Sequence, residues 1–150
     1  MRPHKGYVIE QPEFLPLSET FVLVIGHLYE DAYCCNKITK EETGIFRFEG
    51  DPTCAVIGAN NDWCLVGGHI LVLRTFYDRT VRPVGDLKDI YGLRLVSAYS
   101  AKILTDPWST APAIWQLDIN PNHAAPSTNL WKIRDFNDYV GKPYEENVPW

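Results

Sequence analysis

The sequence is short of the features that most often disclose a function. It has one methionine, four cysteines and fourteen basic against nineteen acidic residues. A net charge of −5 counts against a nucleic-acid backbone as the main partner, because such partners select for basic patches. Near the amino terminus the longest apolar run, Phe21 to Ile25, is too short for a membrane span, and the first twenty residues do not read as a signal peptide. Four cysteines without a secretory segment imply reduced thiols in a cytoplasm, packed as small hydrophobes. No lysine or hydroxyl follows Gly67-Gly68, so it is not a phosphate loop. His4, His27, His69 and His123 fall in separate segments, none with a second ligand at metal-site spacing. No cofactor or metal is expected.

What the chain has in quantity is aromatics and proline: five tryptophans, eight tyrosines and eleven prolines favour strands and irregular loops over long helices. The most informative stretch is Cys54 to Phe76. Three apolar runs are separated by Asn60-Asn61 and Gly67-Gly68, the pattern of an antiparallel meander. With two-residue turns at both dipeptides, Ile57 faces Cys64 and Val56 faces Leu65 across the first turn. Leu65 faces Ile70 and Cys64 faces Leu71 across the second. One face then carries Val56, Trp63, Leu65, Ile70 and Val72, with Gly58 leaving room beside the indole; the other carries Ile57, Cys64, Val66, Leu71 and Leu73. Both faces are apolar, so the meander belongs at the centre, covered on each side. A one-residue bulge in either turn would exchange the faces.

Other strands are expected at Tyr7–Ile9 (an edge), Phe21–Ile25, Ile45–Glu49, Leu93–Tyr99, Ala113–Ile119 and Leu130–Arg134, the last with Trp131 and Ile133 inward. Residues 27–43 fit either a short helix or a strand followed by a turn. Tyr77 to Gly85 reads as a loop, and Asp86 to Gly92 as one helical turn with Asp86 as N-cap. The tail after Arg134 is polar, aromatic and proline-containing. The expected fold is mainly β, or β-rich α+β, in a single domain over residues 1–150 with a central antiparallel meander and one or two short helices.

The nearest approach to a nucleophile constellation is Cys64 with His69 and Asp62. In the register above, His69 is only a diagonal neighbour of Cys64, roughly 7 Å away between β-carbons, and an apolar setting raises a thiol pKa. No catalytic residue is assigned. Two features suit recognition. Tyr29, Glu30, Asp31 and Tyr33, continuing to Glu41, Glu42 and Asp51, mix carboxylates with aromatic rings, a combination that steers and anchors a basic protein surface. Trp108 lies in a proline-flanked loop where core packing does not obviously require it.

The run Ile57-Gly58, then Asn61-Asp62-Trp63-Cys64-Leu65-Val66-Gly67-Gly68 and an apolar strand, resembles motifs in small cytoplasmic proteins of bacterial polymorphic toxin systems. The resemblance spans about twenty residues and implies an immunity protein, which binds a cognate toxin domain and blocks its active site. Such families share no catalytic residues, so no site is carried over. The expectation is a non-enzymatic intracellular binding protein with a basic protein partner. Two rivals are a small-ligand or carbohydrate-binding β domain using Trp108, and a small hydrolase whose site is assembled in space. The mark of the second would be a deep polar cleft uniting a histidine with carboxylates.

Overall fold

A computed structural model describes residues 7–120 and 127–150. Among them twelve strands form three four-stranded antiparallel sheets, each built from consecutive strands. The first sheet holds β1 (Leu15–Glu19), β2 (Leu23–Leu28), β3 (Asp31–Asn36) and β4 (Glu42–Arg47). The second holds β5 (Cys54–Ile57), β6 (Trp63–Gly67), β7 (Ile70–Thr75) and β8 (Thr80–Lys88). The third holds β9 (Ile90–Ser97), β10 (Ser100–Thr105), β11 (Ala113–Asn120) and β12 (Ser127–Asp135). The only helical element among the described residues is a 3-10 turn, Val8–Glu10, where an edge strand was expected. No described helix is long and apolar enough to cross a membrane.

The sheets are stacked face to face with the second in the middle, as the two apolar faces of its meander require. One face, with Val56, Trp63, Leu65, Leu71 and Leu73, packs on Ala101, Ile103, Leu117 and Ile119 of the third sheet. The other, with Ala55, Ile57, Cys64, Val66 and Val72, packs on Leu23, Ile25, Ala32, Cys34 and Ile45 of the first. The first strands β1, β5 and β9 lie side by side, and each sheet's fourth strand crosses back to the first strand of the next. Consecutive blades of a β-propeller are wired in this way. Among the described residues no core cluster joins the first sheet to the third. Instead their outer faces are covered by chain ends. Phe14 packs on Val24 and Cys35, while Phe136, Val148, Tyr139 and Trp150 pack on Leu104 and Ile114.

This wiring gives the stack two ends. One, called the upper end here, carries the β2–β3 and β6–β7 turns, the β4–β5 and β8–β9 links and the β10–β11 loop. The lower end carries the hairpins at Asn60-Asn61, residues 37–41 and residues 76–79.

The first meander turn has the expected register, Ile57 opposite Cys64 and Val56 opposite Leu65. Asn61 takes a left-handed φ of 56°, and Gly58 does leave room for the indole, since a Cβ there would lie 2.4 Å from Trp63 Nε1. The second turn differs. Leu65 pairs with Leu73 and Cys64 with Arg74: the loop is the three residues 68–70 and the register is offset by three, an odd number, so the faces of β7 are exchanged. Gly68 N–H donates to Ile70 O at 2.9 Å, and the β8–β9 link docks onto the turn, Asp89 N–H donating to His69 O and Ile90 N–H to Gly68 O. Gly67 and Gly68 serve close approach rather than a positive φ: added Cβ atoms would lie 2.6 Å from Ile90 Cγ2 and 2.8 Å from Phe48 Cδ2.

Residues 27–43 form strands with a hairpin, not a helix. The expected loop at Tyr77–Gly85 is a turn only as far as Arg79 and strand from Thr80, and the expected helical turn at Asp86–Gly92 is also strand, β8 running directly into β9 through Asp89. Gly85, at φ 57°, allows an irregular stretch that tucks Val84 and Leu87 between the second and third sheets. Trp131 and Ile133 point outward, 37% and 42% exposed, because Leu130 is the β12 residue paired with Leu117 and packed inward. Alternation then turns Trp131 away. The expected loop at Asn120–Asn129 lies partly outside the described residues; Ser127 to Asn129 belong to β12.

Candidate functional site

A cleft of about 720 Å³ opens at the upper end between the second and third sheets. Its wall carries five carboxylates, Glu49, Asp51, Asp89, Asp106 and Glu146, with His69 and the rings of Tyr91 and Tyr144, and neither lysine nor arginine. They come from several separate links and the C-terminal segment. Glu49 and Asp51 follow β4, where Gly50-Asp51-Pro52 stops the strand. His69 is in the β6–β7 turn, and Asp89 is the whole link between β8 and β9. Asp89 holds a left-handed φ of 54°, which aspartate tolerates better than most residues.

Backbone hydrogen bonds make the floor of the cleft continuous. Asp89 N–H donates to His69 O at 3.0 Å and Asp106 N–H donates to Asp89 O at 2.8 Å. Thr53 ties in the β4–β5 link, its hydroxyl donating to Ile90 O at 2.7 Å. The far wall is the C-terminal segment. The Tyr91 hydroxyl reaches the carbonyls of Glu145 and Glu146 at 2.8 and 2.6 Å. Trp108 Nε1 donates to Lys142 O at 2.8 Å. The Trp108 ring sits among Tyr91, Tyr139 and Tyr144 at centroid distances of 6.0, 5.8 and 5.0 Å. This aromatic cluster holds Tyr144 and Glu146 at the cleft, so Trp108 acts from behind the wall and does not line it.

His69 is held by its neighbours. Its Nδ1 accepts the Glu49 N–H at 3.2 Å, which places the neutral ring's proton on Nε2, 3.6 Å from Glu49 Oε2. Its ring meets Phe48 edge-on at 5.8 Å. Asp106 accepts the Trp108 N–H at 2.9 Å. Among the described residues no side-chain hydrogen bond or ion pair neutralises Asp51, Asp89 or Glu146. No group of three His, Cys, Asp or Glu among the described residues is placed to hold a metal ion.

The residues singled out from the sequence do not form one surface. Tyr29, Glu30 and Asp31 lie at the upper end, in the β2–β3 turn and the start of β3. Asp31 is bridged by Arg47 through two bonds of 2.8 and 2.9 Å, which hold its carboxyl below the usual range. Tyr33, half-buried, packs in the cluster under the N-terminal strap, the segment before β1 that carries Val8 and Phe14. Glu41 and Glu42 are at the lower end, roughly 17–20 Å away along a six-residue strand. Glu42 is committed internally: its carboxylate accepts the N–H groups of Val8 and Ile9 at 2.9 and 3.1 Å and pins the 3-10 turn.

Cys64 and His69 do not meet, since Cys64 lies within the core facing the first sheet. Burial pushes the thiols up, Cys34 and Cys54 to about 11 and Cys35 to about 12, with Cys64 raised further still. All four cysteines are free. His4 and His123 lie outside the described residues.

No signal in one stretch of sequence could have found the cleft, whose members are scattered from Glu49 to Glu146. Local runs of carboxylates, the pattern sequence reading favours, mark only Glu30-Asp31 and Glu41-Glu42. Comparison with known proteins finds no family model that matches this chain and no curated protein that matches it.

Proposed function

We propose that this chain is a binding protein that takes a basic segment of a protein partner into the upper cleft. The observation that carries this reading is the cleft wall: five carboxylates and two tyrosine rings around about 720 Å³, without a lysine or arginine among them. Clustered like charges in a concave site focus the field and speed encounter with a cationic partner, and the rings supply anchoring area. The backbone ladder beneath them means little reorganisation accompanies docking. The partner class consistent with the resemblance around Asp62-Trp63-Cys64 is a basic toxin domain, with this chain as its non-enzymatic, cytoplasmic immunity protein, acting by occlusion.

Calorimetric titration with a hexa-arginine peptide, at low and at physiological salt, tests the reading. The combined variant Glu49→Gln, Asp51→Asn, Asp89→Asn, Glu146→Gln should bind about tenfold more weakly or worse, with a flatter salt dependence. Replacing Glu41 by Gln, at the opposite end, should leave affinity unchanged. Equal loss in both variants would show a net-charge effect and refute the cleft. A saturable Trp108 fluorescence response to a neutral glycan, without one to the peptide, would favour the carbohydrate-binding rival.

A second reading rests on His69, which shares the cleft with those carboxylates, the arrangement a spatially assembled hydrolase would need. Turnover of an ester, phosphoester or glycoside that disappears in His69→Gln, while peptide binding persists, would establish it.

A further inference from the structure

A second cleft, about 280 Å³, opens at the lower end between the first and second sheets and is lined in part by Cys34, Glu41, Asn61, Arg74, Phe76 and Arg79. Arg74 is its unusual member. It stands on β7 opposite Cys64, on the face turned to the first sheet, and is only 8% exposed. Its Nε is buried without a hydrogen-bond partner. None of the ion pairs among the described residues involves it. Its guanidinium lies over the Phe76 ring, 5.8 Å from Cζ to centroid. A guanidinium buried outside any ion pair, with its Nε unbonded, is costly, and an anion in the cleft would complete it.

We infer that this cleft is a binding site for a small carboxylate, anchored by Arg74. A planar carboxylate matches the two-pronged edge of a guanidinium, and Asn61 offers a neutral polar wall. Arg79 adds a second positive charge. Glu41 and Glu42 line the same cleft, Glu42 with its carboxylate held by the Val8 and Ile9 N–H groups, and both oppose an anion there, so the site suits a singly charged carboxylate better than a phosphate, which carries more charge past those residues. The source is a free organic acid or the carboxyl terminus of a peptide.

The test follows the Arg74 Nε–H resonance by NMR during titration with acetate, N-acetylglycine and inorganic phosphate. A saturable shift with acetate or N-acetylglycine is expected; tighter binding of N-acetylglycine would indicate a peptide terminus, and equal binding a free acid. Arg74→Met, which keeps the apolar stem, should weaken binding about tenfold or more. It should also raise the melting temperature without anion, because an unpaired buried charge is removed. Glu41→Gln should tighten carboxylate binding. No saturable shift, saturation by phosphate alone, or a lower melting temperature for Arg74→Met without anion would each overturn the inference.

Discussion

Replacing Gly58 by alanine tests the central packing of the molecule. Gly58 follows β5, and its Cα lies against the Trp63 indole, which is 1% exposed and cannot retreat. An added methyl would sit 2.4 Å from Nε1, 2.6 Å from Cε2 and 2.8 Å from Cδ1. Gly58 has no positive φ, so backbone strain does not contribute and the whole effect is steric. Displacing the indole also endangers the bond from Trp63 Nε1 to Ala98 O, 3.0 Å, which ties the second sheet to the third. Overpacking of this kind costs about 1–3 kcal/mol, and a lost hydrogen bond about 1 kcal/mol. The expected loss is therefore roughly 2–4 kcal/mol, a fall of roughly 5–15 °C in melting temperature for a chain of this length. Urea denaturation followed by near-ultraviolet circular dichroism measures it. Combining the change with Trp63→Phe, which removes the crowded atoms, should recover part of the loss as a coupling energy. A Gly58→Ala protein within about 0.5 kcal/mol of the parent, or one not helped by Trp63→Phe, would refute the packing described.

Gly26→Ala should undock the N-terminal strap, since its Cβ would meet the Phe14 ring and lie 2.6 Å from Leu15 O; faster limited proteolysis before Leu15 is the check. Trp108→Ala should destabilise by about 2–3 kcal/mol and expose the C-terminal segment to protease, weakening peptide binding through loss of Tyr144 and Glu146 rather than of a direct contact. The thiols predict an alkaline limit. Buried Cys34 and Cys35 and half-buried Cys54 keep their protons to about 11, 12 and 11, against 9.0 for the ordinary thiol. Above pH 9 the unfolded chain releases protons that the folded chain retains, so stability is full below pH 9 and falls as pH rises toward 11–12. Denaturation midpoints from pH 8 to 11 measure this, and serine or alanine in place of the cysteines should flatten the profile.

A mainly β chain with a doubly apolar central meander was legible because period-two alternation and turn residues are local signals. Asn60-Asn61 set the register of β5 and β6, and Gly58 announced the indole beside it. At Gly67-Gly68 the same logic failed. Ile70 and Val72 are as apolar as Leu71 and Leu73, so patterning could not choose between faces, and the choice fell to the β8–β9 link that bonds to the turn. Asp86 to Gly92 carries the marks of a helical turn, yet burial of Leu87 and Ile90 between two sheets outweighed those weak local preferences.

By itself the sequence determined the strand class, the buried meander and the burial of its thiols, because each follows from neighbours along the chain. Tertiary structure alone decided which charges share a surface. Stacking three sheets gathers Glu49, Asp89 and Glu146 at one end, parts Glu30 from Glu41 by the length of a strand, and buries Arg74 outside any of the ion pairs among the described residues. Electrostatic fields depend on distance through space, and strand crossovers separate that distance from separation along the chain.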